Sequence, residues 1–277
     1  MEIFKIIFTT ILTQPLTNGL ILFYKILGQN MGLAILGFGA LLFLISNKLT
    51  RPQMDAMKKM KLYEKELAAL KARHKDDKQK LMAAQADFYK EKGINPGAGC
   101  LPMILQLVLL FAFFNVFTRV LGASGDAVKL NNTLYAPLKF EAGQTLNTRF
   151  LYLNLTKPDA YKFDWFPTKL PGPILILAAL LQFISAKITA PFIERQKKVA
   201  KKTPETTDDM QVSMQQSMVY TFPLMTIVFG LNFPSALAIY WLLFSVLQAW
   251  RQYKSAGWGG LTPFVARLGL LKSGSNN

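Results

Sequence analysis

Five stretches of the chain are almost wholly apolar and hold no acidic residue: 31–47 (MGLAILGFGALLFLISN), 101–119, 171–190 (PGPILILAALLQFISAKITA), 217–232 (SMVYTFPLMTIVFGLN) and 235–250 (SALAIYWLLFSVLQAW). Only Arg119 and Lys187 carry charge inside them, each near an end. A soluble protein of 277 residues would break such runs more often and carry more than 17% charged residues. In hydrocarbon every backbone polar group must be satisfied within its own segment, which leaves helices for these runs. The expected class is an all-α polytopic membrane protein with five transmembrane helices. Sixteen residues rise only about 24 Å, against about 30 Å of hydrocarbon. Either the helices run on into the interface or the bilayer thins around them.

Charge orders the segments between the spans. Lys and Arg outnumber Asp and Glu by 32 to 16, a basic surface suited to anionic lipid, RNA or an acidic partner. Residues 48–99 hold 13 Lys and Arg, 191–216 hold 5, and the stretch after Trp250 holds 4 with no acid, whereas 121–170 hold 6 with 4 acids. The positive-inside rule sets the first three in the cytoplasm and leaves the N-terminus and 121–170 outside. The expected order is an extracytoplasmic, interfacial helix in 1–30, a first span at 31–49, and a cytoplasmic helical hairpin at 50–99. A second span at 100–120, an extracytoplasmic loop at 121–170, a third span at 171–190 and a cytoplasmic linker at 191–216 follow. Spans at 217–232 and 235–250, turning at Phe233-Pro234, and a basic cytoplasmic tail at 251–277 complete it.

The hairpin is read from periodicity. Met54, Met57, Met60, Tyr63, Leu67 and Leu70 recur at helical steps, Lys75-Asp76-Asp77 interrupts them, and Leu81, Ala84 and Phe88 resume. That pattern predicts two antiparallel helices. Leu16, Leu20, Ile21, Phe23, Ile26 and Leu27 form a broad apolar face after Pro15, which predicts a helix lying on the outer leaflet.

Chemistry is hard to find. One cysteine, Cys100, excludes an internal disulfide and reads as a packing residue; with one histidine, His74, a His/Cys metal site is not expected. No Ser/His/Asp or paired-acid constellation lies in or near a span, so neither an enzyme nor a cofactor is expected. The N-terminus has no cleavage site and reads poorly as a signal peptide. Without a transit-like leader, a bacterial inner membrane is the expected location.

Several stretches together resemble the YidC/Oxa/Alb membrane insertases. GCLPMILQ (99–106) with the preceding KDDKQKLMAAQADFYKEKGINP (75–96) is similar to the family's second core helix and its approach. FLYLNLTKPD (150–159) and LAALLQFISAKI (177–188) resemble the third, NFPSALAIYW (232–241) the last hairpin, and KLTRPQMDAMKKM (48–60) the end of the first helix. The resemblance covers roughly residues 15–255, in the family's order. It implies a five-helix core without a large periplasmic domain. It also implies a function: hydrophobic segments of nascent membrane proteins are taken from the ribosome and released sideways into lipid, alone or beside the Sec translocon. DNA is not an implied partner.

One departure is specific. Bacterial members usually place an arginine in the first core helix, five residues before Pro-Leu-Thr. Here Lys48-Leu49-Thr50 replaces that tripeptide, the matching position is Phe43, and no arginine occurs in 31–47. The nearest polar groups are Ser46 and Asn47. Either neutral polar groups suffice in the groove or another cation, such as Lys187 or Arg51, reaches in, and the first is favoured.

Insertion requires that a substrate's polar flanks enter oil, where each unsatisfied group costs several kcal/mol. A wet groove and a thin bilayer both lower that barrier. Gln106, Gln182, Ser185, Ser245 and Gln248, with Asn47 and Met103, are the groove candidates. Gln182 and Ser185 share one helix face; Trp241, Ser245 and Gln248 share another. Asn115 lies nine residues from Gln106, on the opposite side, and is expected to bond a neighbouring helix. Amides also glue membrane helices together, a reading that stays open for each residue alone. Tyr240 and Trp241 fall where the resemblance implies substrate contact, although an aromatic belt suits their position equally. Pro102 and Pro234 start a helix and make a turn, whereas Pro223 lies inside a span, as a kink would require. The basic tail and hairpin suit ribosomal RNA or anionic lipid alike. The alternative function is a small-solute transporter or channel subunit, which predicts mid-membrane carboxylates that this chain lacks.

Overall fold

The leucine- and phenylalanine-rich runs of the sequence become long helices. The computed structural model describes residues 8–49, 59, 62–74, 77–94, 101–123, 125–165, 167–200 and 207–267. The chain is mostly helical. Its helices are α1 (Gln14–Ile26), α2 (Met31–Leu49), α3 (Glu64–Arg73), α4 (Lys78–Glu91), α5 (Leu101–Gly122), α6 (Pro173–Ala200), α7 (Thr207–Gly230), α8 (Ser235–Ala256) and the short α9 (Thr262–Arg267). Two small antiparallel hairpins, absent from the sequence reading, lie between α5 and α6. They are β1 (Arg149–Phe150) with β2 (Leu153–Asn154), and β3 (Ala160–Tyr161) with β4 (Leu170–Pro171).

The chain divides into two compact units: Met1–Lys48 with Met103–Ala179 and Leu224–Ser245, and Leu49–Pro102 with Leu180–Pro223 and Val246–Asn277. The first holds a continuous apolar core from α1, α2, α5, the start of α6, α8 and the loop after α5. Within it α1, expected on the outer leaflet, buries Leu16, Leu20, Ile21 and Tyr24 and leaves Leu22 and Ile26 exposed. The Asn18 amide accepts from Tyr135 N at 2.7 Å and donates to Thr133 O at 3.0 Å, tying α1 to the loop. Gly39 lets α2 approach α8 closely: a Cβ there would lie 2.8 Å from Leu243 Cδ2.

The second unit contains the α3–α4 pair. The Asp77 side chain caps α4 by accepting from Lys80 N at 3.0 Å, and the Lys80 amide and ammonium hold its carboxyl below the usual range. Tyr63, at the start of α3, meets Phe88, near the end of α4, edge-on at 6.2 Å, so the helices run antiparallel. Lys92 Nζ closes the same end, 3.2 Å from Glu66 Oε2 and above the Tyr63 ring. Arg51, Cys100, the 75–76 part of the KDD break and the last ten residues of the tail lie outside the described residues.

Apolar windows and helices differ in length. Among the described residues one helix, Met31–Lys48, is long and apolar enough by itself to cross a bilayer; Phe111–Gly122, Pro173–Ile188 and Val219–Gly230 are shorter apolar stretches. Each sits inside a helix of 22 to 28 residues, or about 33–42 Å at 1.5 Å per residue. The 191–216 stretch, set apart as a linker by its charge, is helix to Ala200 and again from Thr207. Charge reports solvent contact, and a solvated helix satisfies its backbone as well as a buried one.

The segment Asn147–Asp159 holds three helix starts. The first turn of a helix leaves N–H groups without intrahelical partners. Met31 N donates to Asn147 O at 3.1 Å, Ser235 N to Lys157 O at 2.8 Å, and Ala236 N to Leu155 O at 3.4 Å. For α6, Leu175 N donates to Asp159 Oδ2 at 3.0 Å and Ile174 N to the Tyr152 hydroxyl at 3.1 Å. Tyr152 in turn donates to the Asp159 carboxylate at 3.1 Å. Asp159 is 2% exposed, and a Cβ on Gly172 would overlap its carboxylate.

Removing this carboxylate has a defined cost. Asp159→Ala strips Leu175 N and Tyr152 of their acceptor and is expected to destabilise the first unit by about 2 kcal/mol, read as faster proteolysis within 149–171 of the detergent-solubilised chain. Burial, joined by the Asp159 charge, pushes the Tyr152 phenol from 10.0 up to about 12 despite the Ile174 N–H. The neutral phenol is therefore the form the fold favours. Its contribution is complete below pH 10 and is lost as pH rises through about 12. A difference titration of phenolate absorbance against Tyr152→Phe is expected to show the missing component near 12.

Candidate functional site

The residues singled out for a groove divide between the two units. Asn47, Tyr240, Trp241 and Ser245 fall in the first, and Gln182, Ser185 and Gln248 in the second. Met103 and Gln106 sit in the first turns of α5, where their side chains are outside the described residues.

In the first unit the N-terminal half of α8 is packed, not open. Tyr240 and Trp241 are buried. The Tyr240 ring lies 4.3 Å from that of Phe113 on α5, and 6.2 Å from Phe244. Ser245, also buried, donates to Trp241 O at 2.6 Å, one turn back along its own helix. Phe43, standing where the resemblance expects arginine, is buried on α2 and meets Phe244 edge-on at 6.0 Å. An aromatic contact thus fills the position instead of a cation. Ser46 and Asn47, one turn on, are partly exposed and engaged in interactions.

Asn115 differs from expectation. It is exposed, and its amide donates to Phe111 O at 2.8 Å within α5, not to a neighbouring helix. Thr118 does the same toward Phe114 O at 2.7 Å. Both side chains satisfy their own helix, as short polar groups do where no partner helix faces them.

In the second unit polar groups meet between α6 and α8. Ser185, 5% exposed, donates to Gln252 Oε1 at 2.6 Å. Arg251 Nη2 donates to Gln248 Oε1 at 2.6 Å. Gln248 and Gln252 are four residues apart and share a face of α8, which continues the line of Ser245 toward the helix end. Gln252 was missed in the sequence because it lies past the apolar window; its spacing from Gln248 was the available signal. Gln182, three residues before Ser185, is half-buried and engaged. Lys187, one of the two cations considered as replacements, donates to Tyr220 Oη at 3.1 Å on α7 and lies over the Phe183 and Tyr220 rings at 5.5 and 5.3 Å. In the last turns of α8, Lys254 covers Trp250 at 4.1 Å and Tyr253 packs on Trp258 at 4.8 Å.

No three His, Cys, Asp or Glu side chains cluster as metal ligands among the described residues. The arrangement offers hydrogen-bonding amides and hydroxyls along one helix face, flanked by aromatic packing.

A family model described as the 60Kd inner membrane protein matches residues 22–256, from within α1 to the end of α8. The chain belongs to that family. The chain is also similar to known proteins: one of Prosthecochloris aestuarii (strain DSM 271 / SK 413) is 31% identical over 92% of this chain and 40% of its own length. One of Chlorobium luteolum (strain DSM 273 / BCRC 81028 / 2530) is 31% identical over 81% of this chain and 33% of its own. One of Chloroherpeton thalassium (strain ATCC 35110 / GB-78) is 29% identical over 87% and 36%. Each is named membrane protein insertase YidC. The chain spans 40% or less of the length of these relatives.

Stability separates packing from polar residues on α8. Tyr240→Ala removes a ring buried against Phe113 and is expected to cost about 3–4 kcal/mol. Gln248→Ala, half-exposed and bonded within one turn, is expected to shift thermal unfolding in detergent by less than about 1 kcal/mol.

Proposed function

We propose that this chain is a membrane protein insertase and chaperone. It receives hydrophobic segments of nascent proteins and releases them laterally into the bilayer, without covalent chemistry. The polar groups between α6 and the end of α8 carry the reading: Ser185 donates to Gln252 from α6, and Gln248, one turn before Gln252, accepts from Arg251. Uncharged amides at this depth lower the cost of a substrate's polar flank entering lipid and bind no particular sequence, which suits clients selected by hydrophobicity.

In this reading α2, α5, α6, α7 and α8 each cross the bacterial inner membrane. The N-terminus and the 121–170 loop lie outside, and the α3–α4 hairpin and the C-terminal tail lie in the cytoplasm. The starts of α2, α6 and α8 all bond the Asn147–Asp159 segment, which agrees with one shared face for those three ends. The basic hairpin and tail meet the ribosome or anionic headgroups, and the Sec translocon joins for larger clients. The helices outlast their apolar windows, so local thinning rests on the windows and not on helix length. The aromatic packing at Phe43 supports neutral polar groups as the groove's working chemistry.

Photocrosslinkers at Gln182, Gln248 and Gln252 are expected to capture ribosome-stalled nascent membrane proteins, whereas Phe222, exposed on α7, is expected to capture mainly lipid. Crosslinks of equal strength at all four positions, or unchanged client insertion with altered solute flux after depletion, would count against an insertase.

A further inference from the structure

The loop between α5 and α6 ends in a hairpin whose apolar groups point away from every core. Its β3 and β4 pair Ala160 with Pro171 and Tyr161 with Leu170, and residues 162–165 and 167–169 lie at its tip. Trp165 is 77% exposed, Phe163 42% and Tyr161 44%. The Phe163 and Trp165 rings lie 5.9 Å apart. Leu151, at the tip of the β1–β2 hairpin, is 74% exposed and has a φ of 53°, a left-handed conformation costly for leucine.

Ordinary folding gives no reason for this display. The hairpin base is fixed: Asp159, immediately before β3, binds the Tyr152 hydroxyl and Leu175 N, and Gly172 N donates to Asp159 O at 2.8 Å. Two residues after β4 begins α6, whose first turns expose Ile176 and Leu177. The exposed rings are thus held within a few residues of the point where a lipid-facing helix begins. Lys162 and Lys169 are exposed on either side of the rings, with Asp164 between them.

We propose that the β3–β4 tip is an anchor that seats Phe163 and Trp165 in the phospholipid headgroup layer of the outer leaflet, with Lys162 and Lys169 toward lipid phosphates. It rests on the reading of α6 as a membrane span that starts outside. The Trp165 indole favours that layer because one edge is apolar and the other hydrogen-bonds, the Phe163 phenyl adds apolar area toward the acyl chains, and lysine stems are long enough to carry their ammonium groups to phosphate. The rigid base converts this seating into a fixed height for the three helix starts that the loop holds.

The test uses the full chain in vesicles of phosphatidylethanolamine and phosphatidylglycerol, with Trp241, Trp250 and Trp258 replaced by Phe so that Trp165 alone emits. Expected are blue-shifted emission, a roughly twofold loss with lipids brominated near the headgroup end of the acyl chains, and protection from aqueous iodide. In case the triple variant misfolds, a nitroxide on Phe163→Cys in a Cys100→Ser background reports the same depth from oxygen against nickel-chelate accessibility. Iodide quenching as strong as for free indole, or full nickel-chelate access, in a chain that resists carbonate extraction would overturn the anchor alone. A chain that carbonate strips from the vesicles would overturn the membrane-spanning reading and the anchor with it.

Discussion

The structure depends on how helix starts are satisfied. A helix that begins in or beside hydrocarbon has N–H groups that water does not reach, and each one left open is costly. Here one stretch of loop supplies the acceptors for three helices: the carbonyls of Asn147, Leu155 and Lys157, the Asp159 carboxylate and the Tyr152 hydroxyl. The carboxylate does most for α6, since it meets the positive end of that helix and holds Tyr152 in register. The apolar core around α2, α5 and α8 then forms between ends whose positions are already set.

What the sequence revealed and what it hid follow from this. Apolar windows reported where side chains avoid water, and prolines marked two helix starts but not every helix end. Pro102 does fall in the first turn of α5, Pro223 inside α7, and Pro234 immediately before α8. The interruption near Asp77 became the cap of α4. Windows do not report helix ends, because a helix continues into charged sequence as readily as apolar sequence. Hence α6 runs on through Arg195 and Lys198. The two hairpins of 149–171 escaped notice because strands of two residues leave no periodicity. The role of Asp159 escaped because its partners lie 7 and 16 residues away, on separate elements.

The candidate site was legible as a face and not as a set of contacts. Spacing along α8 identified Ser245 and Gln248 but was not followed one turn further to Gln252. Pairing across helices was invisible: Ser185 with Gln252, Tyr240 with Phe113, and Phe43 with Phe244 are all set by packing. The family resemblance raised the question of Phe43, since it marked the position as unusual. The packing explains why a phenylalanine is stable there, in contact with a second ring and away from solvent.

The bonds at the start of α2 have a temporal side. Asn30 Nδ2 donates to Arg149 O across 119 residues, and the α8 serine reaches back to Asn154 O across 81. A ribosome therefore completes α2 long before the residues that close its end exist, and the closing residues wait in turn for α8. During synthesis the start of α2 lacks these partners until residues 147–149 have been made, and Asn154 gains its α8 contact only when Ser235 follows.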